Sequence, residues 1–321
     1  MTQAIENGLD ETSPERPSKK TSRLWVWVGV ALSIGLVAAV VLQLGGATSE
    51  ILTAIRDLPP LVWPVLLLLY LVQPAFDYLI FRRLWDLPPA GFKALLRKNV
   101  INEVVLGYSG EAFLYVWARR AAQVVEAPFA AIKDANIISA LLGNLLTLAL
   151  AAISLAELRN LDFAQRLGPA LWSGLIPMAI SVVVLIFGRQ VFSLRLGQLA
   201  YVGAVNIGRL AAWTVLNIAV WRMALPEVPT GQWIVLLAIR CLISRIPLIS
   251  NKDLVFGNLV LLLLGAHSSV AVLLAALAFV TLVMHLGVIV ALGAADLARG
   301  MSSGGGVFVG PETKGASSVH E

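Results

Sequence analysis

Apolar and polar positions along the chain separate into long apolar runs with short polar interruptions. A helix crosses the hydrocarbon core of a bilayer with roughly 20 predominantly apolar residues. Residues 24–44 meet that requirement, and Gly45 and Gly46 end the run. Residues 49–57 predict a short interfacial helix. Pro59, Pro60 and Pro64 punctuate the approach to a second span at 61–80, which Arg82 and Arg83 close. Further full spans are predicted at 134–156, 171–187, 200–221 and 270–294.

Two segments break the pattern. Residues 99–120 are moderately apolar but carry Asn102, Glu103 and the run Gly107-Tyr108-Ser109-Gly110-Glu111. That is too polar for a lipid-facing helix. A backbone break at membrane depth is tolerated only where protein or a wet cavity covers it, so the segment predicts a re-entrant hairpin. Residues 232–249 are interrupted by Arg240, Arg245 and Pro247 and run on into 251–265, a second re-entrant pair. Just before the first break, Phe92, Leu95 and Leu96 are set against Lys93, Arg97 and Lys98. This basic amphipathic stretch is expected to lie flat on the membrane surface. The predicted fold class is all-α: a polytopic integral membrane helix bundle of six full spans plus two re-entrant helical hairpins. Residues 1–22 are polar and read as a disordered cytoplasmic tail. Residues 23–298 form the transmembrane domain, and 299–321, rich in Gly and Ser, form a second such tail. Lys19, Lys20 and Arg23 precede the first run as in a signal peptide, but the apolar core of a signal peptide is only about 7–15 residues. The run at 24–44 reads as a transmembrane helix.

Composition agrees. Apolar residues make up 58% of the chain and charged residues 13%, against about a quarter charged in soluble domains. The mean hydropathy is +0.83. A net charge of +5 would suggest nucleic acid if the cations were clustered on a soluble surface; here they sit at the ends of apolar runs. Of 24 Lys and Arg residues, sixteen fall on one side of the predicted topology and four on the other. The remaining four (Arg209, Arg240, Arg245 and Lys252) lie inside apolar segments. Cytoplasmic loops carry the excess of Lys and Arg, which places both termini in the cytoplasm. Trp63, Trp85, Trp172, Trp221 and Trp233 fall near span ends, as interfacial anchors do. The single cysteine, Cys241, excludes an intrachain disulfide framework. The three histidines have no ligand spacing, and there is no phosphate-cradling glycine loop or H-E-x-x-H motif. The chain therefore implies no catalysis, metal or cofactor, and no nucleic-acid partner.

Charges inside a span cost about 2.5–3.5 kcal/mol each on insertion scales and persist when paired or facing a cavity. Asp77, Glu103, Glu111, Arg209, Arg240, Arg245, Lys252 and Asp253 are in that position. Glu111 follows the glycine break at helical spacing from Tyr115 and Arg119, so it either binds a ligand or pairs with a neighbouring cation. Arg240, Arg245 and Lys252 surround the second break beside Asp253. They either hold a phosphate headgroup, for which guanidinium offers bidentate donors, or form internal salt bridges. Arg209 sits mid-span, where Asp77 is a candidate partner; Arg82 is the other candidate for Asp77. The candidate headgroup-binding residues are thus Glu111, Tyr115, Arg119, Arg209, Arg240, Arg245, Lys252 and Asp253. His285 reads as a packed, hydrogen-bonded residue.

Asn99 followed by Gly107-Tyr108-Ser109-Gly110-Glu111 and then Arg119 and Arg120 resembles the flippase-like transmembrane family, which includes the transmembrane region of lysylphosphatidylglycerol synthase. Arg240, Pro247 and the polar break that follows extend the resemblance over residues 24–298. The second hairpin lacks the Gly-Gly turn common in that family and has Ser250-Asn251-Lys252-Asp253 instead. No soluble aminoacyl-transfer domain is present. The resemblance implies lipid translocation rather than lysyl transfer. The leading expectation is a bacterial inner-membrane protein that moves, or helps move, a membrane lipid or polyprenyl-linked amphiphile between leaflets. The alternative is a non-transporting scaffold for a lipid- or glycan-modifying enzyme. An embedded transferase ranks last because catalytic motifs are missing.

Overall fold

The computed structural model describes residues 48–104, 108–120, 128–158, 192–245, 251–265 and 267–302. Regular structure among these residues is entirely helical: α1 (Thr48–Arg56), α2 (Val62–Trp85), α3 (Gly91–Val104), α4 (Ser109–Arg120), α5 (Pro128–Leu158), α6 (Leu196–Ala224), α7 (Thr230–Ser244), α8 (Lys252–Leu264) and α9 (Ser269–Ser302). Among the described residues four helices are long and apolar enough to cross a membrane: Val62–Trp85, Pro128–Ser154, Leu196–Ala224 and Ser269–Asp296. They make the chain a helical membrane protein by length and composition. The predicted spans at 24–44 and 171–187 lie outside the described residues, as do Trp172 and Pro247. Helix α9 continues through Ser302, past the tail boundary expected at 299.

Antiparallel packing of α2 and α6 sets the frame. The Tyr201 hydroxyl donates to the Leu79 carbonyl at 3.1 Å, so the end of α2 lies beside the start of α6. Asp134 joins the start of α5 to the same end by accepting the backbone N–H groups of Ser193 and Leu194, both at 2.7 Å. The end of α9 arrives there too, where Arg97 of α3 meets Asp296 at 2.6 Å. Small residues let helices close elsewhere: a Cβ on Gly257 of α8 would stand 3.2 Å from the Ala275 backbone of α9.

Two pairs of short helices fill the space between the long ones. Pair α3–α4 starts and finishes at the end just described: Arg97 binds α9 there, and Tyr115 makes an edge contact with Phe129 of α5. Pair α7–α8 comes from the opposite end, where Trp233 packs on Trp221 of α6, with ring centroids 5.5 Å apart. Both pairs use the same local device. The residue before the second helix is left-handed: Tyr108 (φ 73°) before α4 and Asn251 (φ 55°) before α8. Asn tolerates this region through its short polar side chain, whereas a bulky Tyr there is uncommon. The tips of the two pairs meet, and the Asn251 N–H donates to the Glu103 carbonyl at 2.8 Å.

Two expectations are corrected. The stretch at 92–98 does not lie apart on a surface; it is the first half of α3, packed against α2. Leu95 and Lys98 are three residues apart and share one helix face, so both are buried, the lysine because it finds a carboxylate. Trp221 and Trp233 are core residues, 2% and 0% exposed, and not interfacial anchors. Trp63 remains exposed.

Candidate functional site

A cavity of about 390 Å³ opens between the two helix-pair tips and the long helices α2, α5, α6 and α9. Its volume falls within the range of small-molecule sites, roughly 300–1,000 Å³. Six of the eight predicted site residues line it: Glu111, Arg209, Arg240, Arg245, Lys252 and Asp253. Tyr115 and Arg119 do not. Arg119 donates to the Tyr115 hydroxyl at 3.2 Å in an exposed position. The physical reason is helical rotation. At about 100° per residue, spacings of four and eight turn a side chain about 40° and 80° away from Glu111.

One wall of the cavity is a closed ionic network. Asp77 of α2 accepts Lys98 Nζ at 2.7 Å and Gln73 Nε2 at 3.0 Å. Arg209 of α6 lies 3.9 Å from the same carboxylate and donates to Gln73 Oε1 at 2.7 Å and Ser139 Oγ at 2.8 Å. Lys98 also reaches Glu111 at 3.4 Å. The Glu111 carboxylate accepts Asn102 Nδ2 at 3.1 Å, and Asn102 Oδ1 accepts the Gly110 N–H at 2.7 Å. Gly110 is required here, because a Cβ would run into the Lys98 carbonyl of the facing helix. Arg82 is not the partner of Asp77; it sits over the Tyr78 ring.

The facing wall is built differently. Arg240 of α7 donates to Asp253 Oδ1 through Nε at 3.0 Å and Nη2 at 2.7 Å. Its Nη1 binds Asn217, and its guanidinium lies 5.1 Å from the Trp213 ring centroid. Lys252 donates to the Ser244 carbonyl at 2.8 Å, and Arg245 reaches the neutral oxygens of Asn144 and Ser244. Among the described residues neither Arg245 nor Lys252 has a carboxylate within 4.0 Å. Gly143 of α5 makes room for Arg245: a Cβ there would stand 2.6 Å from Nη1.

Sequence reasoning missed several cavity residues. Lys98 was assigned to the surface, and Gln73, Asn102 and Ser139 carried no sequence signal beyond being polar within apolar runs. Asp77 was a named partner for Arg209 but not a site residue. The Tyr70 hydroxyl and His285 Nδ1 are hydrogen-bonded at 3.0 Å on the cavity wall, in keeping with a packed histidine. Among the described residues no group of three or more His, Cys, Asp and Glu converges to hold a metal ion. No family model, curated protein or solved structure matches this chain.

Proposed function

We propose that this chain moves, or helps move, an anionic lipid or lipid-linked amphiphile between the leaflets of a bacterial inner membrane. The observation that carries the reading is the pair Arg245 and Lys252. Both face the cavity, and neither has a carboxylate within 4.0 Å among the described residues. A buried cation without a counter-ion is costly, and an anionic headgroup would supply that counter-ion. Guanidinium and ammonium suit phosphate oxygens. The cavity has room for a headgroup while acyl chains stay in the bilayer.

The finer topology belongs to the same proposal: six full spans, with α3–α4 and α7–α8 as re-entrant hairpins and both termini cytoplasmic. Their approach from opposite ends, the meeting of their tips and the shared left-handed break support this reading. Opposed broken helices meeting near the midplane are the arrangement of many transporters. The resemblance to the flippase-like family of lysylphosphatidylglycerol synthase points the same way. The test is reconstitution of the full chain in phosphatidylcholine vesicles with a trace of fluorescent phosphatidylglycerol and an impermeant quencher. Quenching beyond the outer-leaflet fraction, only in protein-containing vesicles, is expected. Quenching equal to that of protein-free vesicles would overturn transport and favour the scaffold alternative.

A further inference from the structure

We propose that the Glu103 carboxyl, at the junction of the two helix pairs, binds and releases a proton during the transport cycle, so that lipid movement draws on a proton gradient. The coupling rests on the transport reading above; the proton site itself does not.

Glu103 lies at the last turn of α3, and its backbone carbonyl accepts the Asn251 N–H that ties the two tips together. Its side chain lines the cavity. It makes no ion pair within 4.0 Å among the described residues, unlike Asp77, Glu111 and Asp253. The charged and titratable groups around it come from four helices. On α8 the bonded Asn251 is followed by Lys252 and a second carboxylate, Asp253, and Arg240 of α7 and Tyr70 of α2 line the same cavity. His285 of α9 binds Tyr70 and senses Asp253. Lys98 and Glu111 belong to the network on the other side of α3–α4.

The nearby cations are already engaged. Arg240 directs two nitrogens at Asp253 and a third at Asn217, and Lys252 is bonded to the Ser244 carbonyl. Asp253 therefore holds a close cation, and Glu103 holds none within 4.0 Å among the described residues. A carboxyl without a close cation takes up a proton more readily, and ionisable side chains inside membrane proteins commonly carry protons. The step is a proton transfer alone: a proton from water converts carboxylate to carboxylic acid and returns to water when it leaves. No other bond changes. Protonation removes the Glu103 charge beside Lys252 and leaves that cation to a headgroup, so proton and lipid anion bind together.

Two measurements on the full chain in vesicles test this. Infrared difference spectra between mildly alkaline and mildly acidic buffer should show a carboxylic-acid band in wild type. That band should be absent in Glu103→Gln and restored, shifted, in Glu103→Asp. A band unchanged in a folded Glu103→Gln variant would overturn the site, whatever the lipid does. Movement of fluorescent phosphatidylglycerol is then followed with and without an imposed pH difference. One pH unit is worth up to about tenfold per coupled proton. Wild type should respond and Glu103→Gln should not. Lipid movement that ignores the gradient in wild type would overturn the coupling while leaving transport intact. A titrating Glu103 band without any lipid movement would leave the proton site standing, overturn its coupling to lipid, and sink the transport reading.

Discussion

On the α2–α3–α4–α6 side of the cavity, Asp77 and Glu111 stand against Lys98 and Arg209, two carboxylates to two cations, and the side chains bind one another. On the α7–α8 side, among the described residues, Asp253 pairs with Arg240, while Arg245 and Lys252 end on neutral oxygens. The comparison separates two uses of charge in an apolar chain. A balanced, mutually bonded cluster fixes how helices dock, because each partner would be stranded without the other. An unbalanced one leaves attraction directed at whatever enters the cavity.

The largest expected effect comes from breaking the balanced side. Asp77→Asn takes the close carboxylate from Lys98, leaving it Glu111 at 3.4 Å, and weakens the hold on Arg209, and should cost about 3–5 kcal/mol. Thermal melting and folded yield in detergent report it. The unbalanced side should respond in activity instead. Neither Arg245→Gln nor Lys252→Gln breaks an ion pair within 4.0 Å among the described residues, so melting should fall far less than for Asp77→Asn. Loss of one charged hydrogen bond to a headgroup, about 1.5–3 kcal/mol, should slow movement of fluorescent phosphatidylglycerol by roughly tenfold or more. A drop in melting temperature that matches the drop in movement would erase the distinction between the two sides. A backbone test of the balanced side follows. Gly110→Ala forces a methyl against the Lys98 carbonyl and should destabilise by about 1–3 kcal/mol. The smallest effect is expected at the exposed Arg97–Asp296 pair. Arg97→Gln should change melting by about 0–1 kcal/mol, which calibrates how much any ion pair in this protein is worth.

Run length and punctuation alone made α1, α2, α5, α6 and α9 legible, because an apolar helix of spanning length carries its own signal. The two breaks were legible as well. Gly110 with Glu111, and Arg240 with Arg245, are too polar for lipid, and Glu111, Arg240 and Arg245 line the cavity. Pairing between distant segments was much less so. Lys98 reads as one more basic residue at a membrane surface because its carboxylate, Asp77, lies 21 residues away on another helix. The Asp77–Arg209 pairing could be named only as one option among two. Helical spacing put Tyr115 and Arg119 beside Glu111, but rotation over one and two turns carries them out of the cavity. Trp221 and Trp233 sit near span ends in sequence yet fill the core, because their helices meet there. Spacing along one helix shows which residues are neighbours; it does not show which helices will face each other.

The most direct test of the account compares two lipids in the same vesicles, fluorescent phosphatidylglycerol and fluorescent phosphatidylcholine, for wild type and for the Arg245→Gln/Lys252→Gln double variant. The account predicts faster movement of the anionic lipid in wild type, and loss of that preference in a double variant that melts like wild type. Equal movement of both lipids in wild type, or a preference that survives removal of both cations, would contradict it.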